Sequence, residues 1–525
     1  MNEDTHVKDT QNRTTNTVID TCGKTFHKGL NYLVGRSEEH VMIGPLVTRG
    51  IGCVFLIAFF SYWVQVEGLI GDQGIAPATD FMSRIWKRFG IEGYTRLPSL
   101  FWIWPTTIFL HILCALGCIT AILQVIRPTS IWCMCTWLIY LSLLYPGQLF
   151  YRFQWDLLLV ESGFLCLFFF WGTKQGSNKG HIRGHRFPLL LTRLLLFRLL
   201  FSSGVGKLLH GGKTWNDGRA LDFHFWTQPL PNPIAYYLNL LPDSLLETSV
   251  YCVFVLQCVV PFTFLGSRPL RLFGFYASVF LQLLIAGSGN FAFFNLLTVV
   301  LCFSLLDDRH LEKLFPFLAN NQSTHQPAKP NDSLWKNRIY GIKHFSLGFL
   351  LYLHLLQITD VIGAHKIRDT MTFESLNVLR PLHLVNGYGL FISMTTSRKE
   401  IIIEGSDDGR KWEPYLFRYK PNTLRDGLSI IAPHQPRLDW QMWFAALGDI
   451  RRNQWLNHFM KQIQNESSPV LNLLQTNPFP NKPPRYIRAL SYQYTFTDLN
   501  ERRQSGRIWK RHSPKIYAPP IERIP

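Results

Sequence analysis

Nine apolar blocks, separated by short polar connections, dominate the chain from residue 51 to residue 361. They run roughly 51–66, 106–126, 131–150, 153–172, 189–206, 246–265, 270–287, 290–306 and 341–361. Several approach the roughly 20 residues that a helix needs to cross the hydrocarbon layer. Backbone in lipid must satisfy its own hydrogen bonds, so blocks of this length are expected as helices. The expected fold is a membrane α-helical one, a polytopic transmembrane helix bundle of nine spans. The first, fifth, seventh and eighth blocks are short, and the count falls to five to eight if some are re-entrant or interfacial. The ninth carries His344, His354 and Gln357.

Basic residues orient the spans. The 173–187 connection holds Lys174, Lys179, Arg183 and Arg186 and no acid, which reads as cytosolic by the positive-inside rule. Alternation then puts Arg127, Arg268, Arg271 and the Arg309–Lys343 stretch on the same side. The expected organisation is a cytosolic polar segment (1–45), a membrane domain (46–364) with lumenal loops 67–105 and 207–245, a small β-rich α+β lumenal domain (365–500) and a basic tail (501–525). The first 45 residues lack the apolar core of a cleavable signal, so the first span is expected to be an uncleaved anchor. Of the sequons, Asn465-Glu466-Ser467 falls on the lumenal side and is the glycosylation candidate. Those at Asn12, Asn321 and Asn331 fall on the cytosolic side.

The net charge of +18 does not make this a nucleic-acid binder, because much of the excess sits in short loops between apolar blocks. Nine of the ten cysteines lie inside those blocks, and the exception is Cys22. Small buried hydrophobe is the role expected of most. Cys133-x-Cys135 is not a redox pair, and neither a disulfide framework nor a metal-ligand spacing is visible.

In the last third, Glu400–Glu404, the Gly405–Gly409 turn and Trp412–Tyr419 read as a β-hairpin. The turn is acidic but lacks the spacing of a calcium loop. Residues 440–447 and 453–464 have helical spacing, and Tyr486–Phe496 alternates as a final strand. The tail with Arg502, Arg503, Arg507, Lys510 and Arg511 is expected to be loosely ordered.

Charge inside the apolar blocks demands partners. Asp156 and Glu161 stand in the fourth block, and Arg193 and Arg198 in the fifth. Intramembrane charges usually neutralise one another, so Glu161 is expected to pair with Arg193 or Arg198 and fix helix register. A proton or ion pathway and a catalytic acid–base site are the alternatives. The Trp215–Pro231 loop offers Trp215, Asp217, Arg219, Asp222, His224 and Trp226. It reads as a folded interfacial loop or as a client-contact surface, with Asp222 placed to orient the His224 imidazole. No serine or cysteine nucleophile stands in an elbow setting near it. Gly71–Gly74 is a turn near the same face. Trp440 and Trp443 lie on a helix that is either core or an exposed strip for clients.

Several long strings together resemble the lipase maturation factor family. They are Gly71–Pro77, Phe153–Glu161, the 198–231 stretch, Gly289–Asn295, Glu404–Gly409, Pro436–Gly448 and Pro483–Tyr486, spread over about residues 45–512. The resemblance implies an endoplasmic reticulum membrane protein that helps secreted dimeric lipases, such as lipoprotein lipase, fold and assemble. It implies no catalytic residues and no cofactor. Its implied partners are those lipases, reticulum lipids and other folding factors. The family's first half is also similar to the membrane region of vitamin K-dependent carboxylases, which makes a membrane enzyme the first rival reading. A transporter is the second, and no internal hydropathy repeat supports it.

Overall fold

The structure, a computed structural model, describes residues 40–171, 186–316, 334–361, 379–426 and 428–523. Cys22, Asn12, Asn321, Asn331, Lys174, Lys179, Arg183 and the His344 side chain lie outside the described residues.

Each apolar block is helical. In chain order the main helices are α1 (Ile43–Trp63), α2 (Ala78–Phe89), α3 (Thr107–Ile126), α4 (Ser130–Leu144), α5 (Gln154–Phe170) and α6 (Arg186–His210). They continue with α7 (Ala220–Thr227), α8 (Asp243–Phe254), α9 (Arg268–Ser288), α10 (Phe294–Cys302) and α11 (Leu334–Val361). Local chemistry sets several ends. The hydroxyls of Thr106 and Thr129 accept the third backbone N–H beyond them and cap α3 and α4. Pro128 follows the end of α3, and Pro269 stands in the first turn of α9, where its missing N–H is harmless. The N-terminus of α1 is capped from afar, since the Asp308 carboxylate accepts from Val41 N at 2.7 Å and Met42 N at 3.0 Å.

Among the described residues five helices are long and apolar enough to cross a membrane: α1, α3, α6, Asp243–Leu265 (α8 with its continuation) and α9. Ser130–Leu144, Phe294–Leu305 and Phe345–Thr359 are apolar but shorter. The α6 helix is central, with 89% of its most apolar window buried, against 28% and 33% for Asp243–Leu265 and α9. Exposed Phe262, Phe273, Phe280 and Leu283 make the outer surface of the last two.

Helix ends fall into two groups. At one end Arg49 donates to Val125 O (3.1 Å), Arg268 pairs with Asp307, and Asp308 caps α1. At the other, the connections after α1, α4, α7 and α9 all bond residues beyond 379. Gln65 donates to Gln435 O (2.9 Å), Arg437 to Phe150 O (2.5 Å), Arg398 to Pro229 O (3.0 Å) and Asn290 to Ser429 O (2.8 Å).

The C-terminal segment forms β1 (Arg398–Ser406), β2 (Glu413–Phe417), α12 (Arg437–Ala446), α13 (Gln454–Gln464), β3 (Leu474–Thr476), β4 (Tyr486–Phe496), α14 (Leu499–Ser505), β5 (Trp509–Arg511) and β6 (Lys515–Glu522). Its antiparallel sheet has the order β3-β2-β1-β4-β5, and β6 also pairs with β4. The expected hairpin is present, with Ile403 opposite Tyr415. Its turn needs no ion: Asp408 accepts from Arg410 N and Lys411 N, both at 2.8 Å, and Gly409 takes φ +71°.

One expectation changes. The basic tail is not loose, because α14, β5 and β6 complete the sheet. Trp509 is fully buried, Lys510 meets Glu501 at 2.5 Å, and Arg511 lies over Tyr492. Lys510 and Arg511 stand on β5, the strand at the sheet's rim, where charge deters pairing with other chains. Tyr494, Phe496, Ile508 and Trp509 cluster with Tyr236 of the loop before α8, and the rest of the C-terminal segment packs on the bundle. One apolar core runs from Ile43 through the bundle to Ile487 and Ala518.

Within this core Asp439 is buried, and its Oδ1 accepts from Tyr419 N (3.0 Å) and Lys420 N (2.9 Å). Burial, opposed by those donors, lifts its carboxyl from 3.8 to about 6. The folded state therefore holds a proton that the unfolded chain has released. That contribution to stability is complete below the unfolded value and is lost as pH rises through about 6. Asp439→Asn keeps an acceptor for both N–H groups and does not titrate. Relative to this variant, the native protein is expected to lose up to about 3 kcal/mol between pH 4 and 7.5, read from melting curves in detergent. Parallel curves for the two proteins would contradict the assignment.

Candidate functional site

The fourth apolar block supplies two carboxylates that point to different places, because five residues are about 140° around a helix. Glu161 faces α6 and pairs with Arg198, both side chains being fully buried. It also accepts from Asn386 N (2.9 Å), Asn386 Nδ2 (3.0 Å) and the Tyr388 hydroxyl (2.6 Å). Arg198 in turn donates to Asn386 O at 3.0 Å. A carboxylate oxygen offers about two acceptor positions, so Asn386 and Tyr388 fill Oε2, while Oε1 carries the Arg198 bond. The His354 Nε2 stands 3.8 Å from Glu161 Oε1, and neither ring nitrogen has a hydrogen-bond partner among the described residues. Arg193 is not the partner of Glu161. It donates to Ser304 O (2.8 Å) and contacts His40 (3.1 Å) toward the other end of the bundle.

Asp156 has a partner that the apolar blocks do not contain. Arg437, the first residue of α12, grips it with two bonds, Nη1 to Oδ2 at 3.0 Å and Nη2 to Oδ1 at 2.9 Å. The Tyr140 hydroxyl adds a third at 2.7 Å. The guanidinium also lies over the rings of Tyr62 (5.0 Å) and Tyr151 (4.4 Å). A planar, always-charged fork suits this bidentate, stacked position in a way that lysine does not.

The loop after α6 is held by the same C-terminal segment. Arg398 donates to the carbonyls of Trp226 (3.1 Å), Gln228 and Pro229 (3.0 Å), and pairs with Glu400 at 2.5 Å. The Trp443 indole donates to Thr227 O (2.8 Å) and the Trp215 indole to Phe391 O (3.0 Å). Asn290 ties this loop and its own string to the C-terminal segment, donating to Leu230 O (3.0 Å) and Ser429 O (2.8 Å) and accepting from Ile431 N (2.7 Å). A side chain at Gly289 would collide with Gln228, 2.0 Å from a Cβ built there. The Gly71–Gly74 turn likewise meets this chain's own residues, with Ser467 donating to Gln73 O at 2.7 Å.

This geometry revises the sequence reading residue by residue. Trp215 and Trp440 are buried, and their rings contact this chain's own residues. Trp440 sits among Phe153, Trp155 and Phe291. Trp226 and Trp443 are half-buried, and Asp217 and Arg219 are exposed. Asp222 pairs with Arg219 at 2.9 Å and does not orient His224. His224 packs against Phe225, Phe291 and Phe391. Burial, and then the nearby Lys207, push its pKa down to about 4, so the ring is neutral near pH 7. Asn465 is exposed at the end of α13. Among the described residues no group of three His, Cys, Asp or Glu side chains is placed to hold a metal, and the nine described cysteines are free. The partners missed from sequence are Asn386, Tyr388, Arg398 and Arg437. Only Arg437 stood in a distinctive string, Pro436–Gly448.

The bonds therefore join two stretches, one ending near Leu314 and one beginning near Leu379. Residues 44–313 match the family model described as the lipase maturation factor transmembrane domain, and residues 384–519 match that of the lipase maturation factor C-terminal domain. The chain belongs to the lipase maturation factor family. It is 32% identical to lipase maturation factor 2 of Xenopus laevis, over 92% of this chain and 83% of that protein. It is 30% identical to human lipase maturation factor 2 over 91% and 82%, and 30% identical to mouse lipase maturation factor 1 over 91% and 86%. No solved structure matches. The five membrane-length helices among the described residues and the matched transmembrane domain make this lipase maturation factor homologue a multi-pass membrane protein.

Proposed function

We propose that the chain assists folding, dimer assembly and maturation of secreted lipases in the endoplasmic reticulum membrane. The observation that carries this reading is its likeness, across both matched stretches, to proteins named lipase maturation factors. In this reading the N-terminus is cytosolic, the chain crosses the bilayer nine times, and the C-terminal sheet stands in the lumen. The two groups of helix ends support that alternation.

Mechanistically, the fold presents a fixed platform at the membrane surface. Loop 207–245 is clamped to the sheet by Arg398, Trp443 and Asn290, so it offers clients a surface whose ordering entropy is already spent. Asp217, Arg219 and the outer edges of Trp226 and Trp443 form the client contact. Holding a partly folded lipase there hides surface that would otherwise aggregate before subunits pair. Lipids surround the bundle, and other folding factors share the client.

Asn465 tests the orientation. In the lumen this exposed sequon carries a glycan, so endoglycosidase treatment speeds migration of the native chain and leaves Asn465→Gln unchanged. A chain unglycosylated at Asn465, with its C-terminus open to cytosolic protease in sealed microsomes, would overturn the reading.

A second reading, acid–base chemistry within the membrane, draws on one observation: His354, both of whose nitrogens lack a hydrogen-bond partner among the described residues, stands beside Glu161.

A further inference from the structure

The stretch between α1 and α3 carries a surface that the lipase reading does not use. In α2 the apolar residues Phe81, Met82, Ile85, Trp86 and Phe89 fall on one face, and Asp80, Ser83, Arg84, Lys87 and Arg88 on the other. The protein covers only Ala78 and Met82 fully. Trp86 is half exposed and forms an aromatic cluster with Tyr94 (5.7 Å) and Trp102 (6.5 Å). Beside it Ile91 and Ile103 are exposed by 79% and 75%, and Trp104 by 48%. Arg88 and Arg96 lie over the Phe89 ring.

We propose that residues 78–104 are an interfacial foot, resting in the phospholipid surface at the sheet-side end of the bundle. Position identifies the occupant. The segment is tied to the rim of the bundle, for Asp72 N donates to the Thr107 hydroxyl (2.9 Å) and Ser99 to Ser142 O (2.6 Å). Ile103 and Trp104 lead straight into α3, whose exposed Ile108, Ile112, Leu116, Ile119, Ile122 and Ile126 form its outward stripe. The exposed apolar surface of the foot therefore continues that of a membrane-crossing helix. Trp and Tyr favour the headgroup level, and Arg84, Lys87 and Arg88 supply cations for lipid phosphates, while Arg96 pairs with Glu92. A soluble client would have to compete with lipid for a surface that begins inside the bilayer.

The test is carbene labelling of the full chain in phospholipid nanodiscs, with a diazirine near the top of one acyl chain. Labelling is read peptide by peptide by mass spectrometry. Peptides containing Trp86, Ile91 and Trp104 are expected to be labelled at least fivefold more than the β6 peptide containing Ile516, which is 72% exposed. The variant Trp86→Ser/Ile91→Ser/Trp104→Ser should lower labelling of 78–104 at least threefold and leave that of α3 unchanged, which shows that the bundle is intact. Labelling of the native foot no higher than that of the Ile516 peptide overturns the proposal. So does labelling that appears only until a secreted lipase is added, because the client would then be the occupant.

Discussion

Replacing Arg437 with alanine is expected to destabilise the protein by about 3–5 kcal/mol, the cost of leaving one member of a buried pair behind. Asp156 would keep the Tyr140 hydroxyl but lose both guanidinium bonds, and Tyr62 and Tyr151 would face a cavity where a cation lay between them. The loss should appear as a lower melting temperature in detergent and faster proteolysis of the whole chain, because α12 and the bundle share one core. Arg437→Lys should recover only part, since an ammonium cannot reproduce the fork. Removing both charges with Asp156→Asn/Arg437→Gln should cost less than Arg437→Ala, because no buried charge is orphaned. If Arg437→Ala melted within 1 °C of the native protein, the pair would not hold the two stretches together.

The second large effect is expected at Glu161. Glu161→Ala leaves Arg198 buried without its anion, and Asn386 and Tyr388 without their acceptor. Folding should fail or fall by about 3–5 kcal/mol. Adding Arg198→Met should restore much of that loss, as buried pairs replaced by apolar groups of similar volume often fold well. The double variant also separates the two functional readings. A purely structural pair gives a rescued protein that again supports a lipase. An acid–base site at Glu161 and His354 gives a rescued fold without function.

A deletion that stops at residue 375 is a poor probe of this architecture. It would expose the sheet-side end of the bundle, strip Arg437 from Asp156, and strip Asn386 and Tyr388 from Glu161. Point variants on the clamped loop, such as Arg219→Ala, address client contact without that damage.

The membrane part was legible because lipid imposes a simple rule, and long apolar runs obey it. All nine blocks became helices, and the Glu161 partner lay in the fifth block as expected. The hairpin, α12, α13 and β4 were legible from turn chemistry and periodicity. What could not be read was the long-range pairing. Asp156 and Arg437 are 281 residues apart, and nothing local to either marks the other. Trp215 and Trp440 could not be assigned to packing or to client contact, because aromatic composition is the same in a core, at an interface and in a binding site. The tail misled for a related reason. Its arginines and lysines gave it the composition of a loose end, while Trp509 and Ala518, the residues that dock it, were too few to stand out.

The most direct measurement is the activity of a secreted dimeric lipase made in cells that lack this chain. Restoring the native chain should raise activity per molecule of secreted lipase several-fold, and Arg437→Ala should not. Lipase that is equally active with and without the chain would contradict the account.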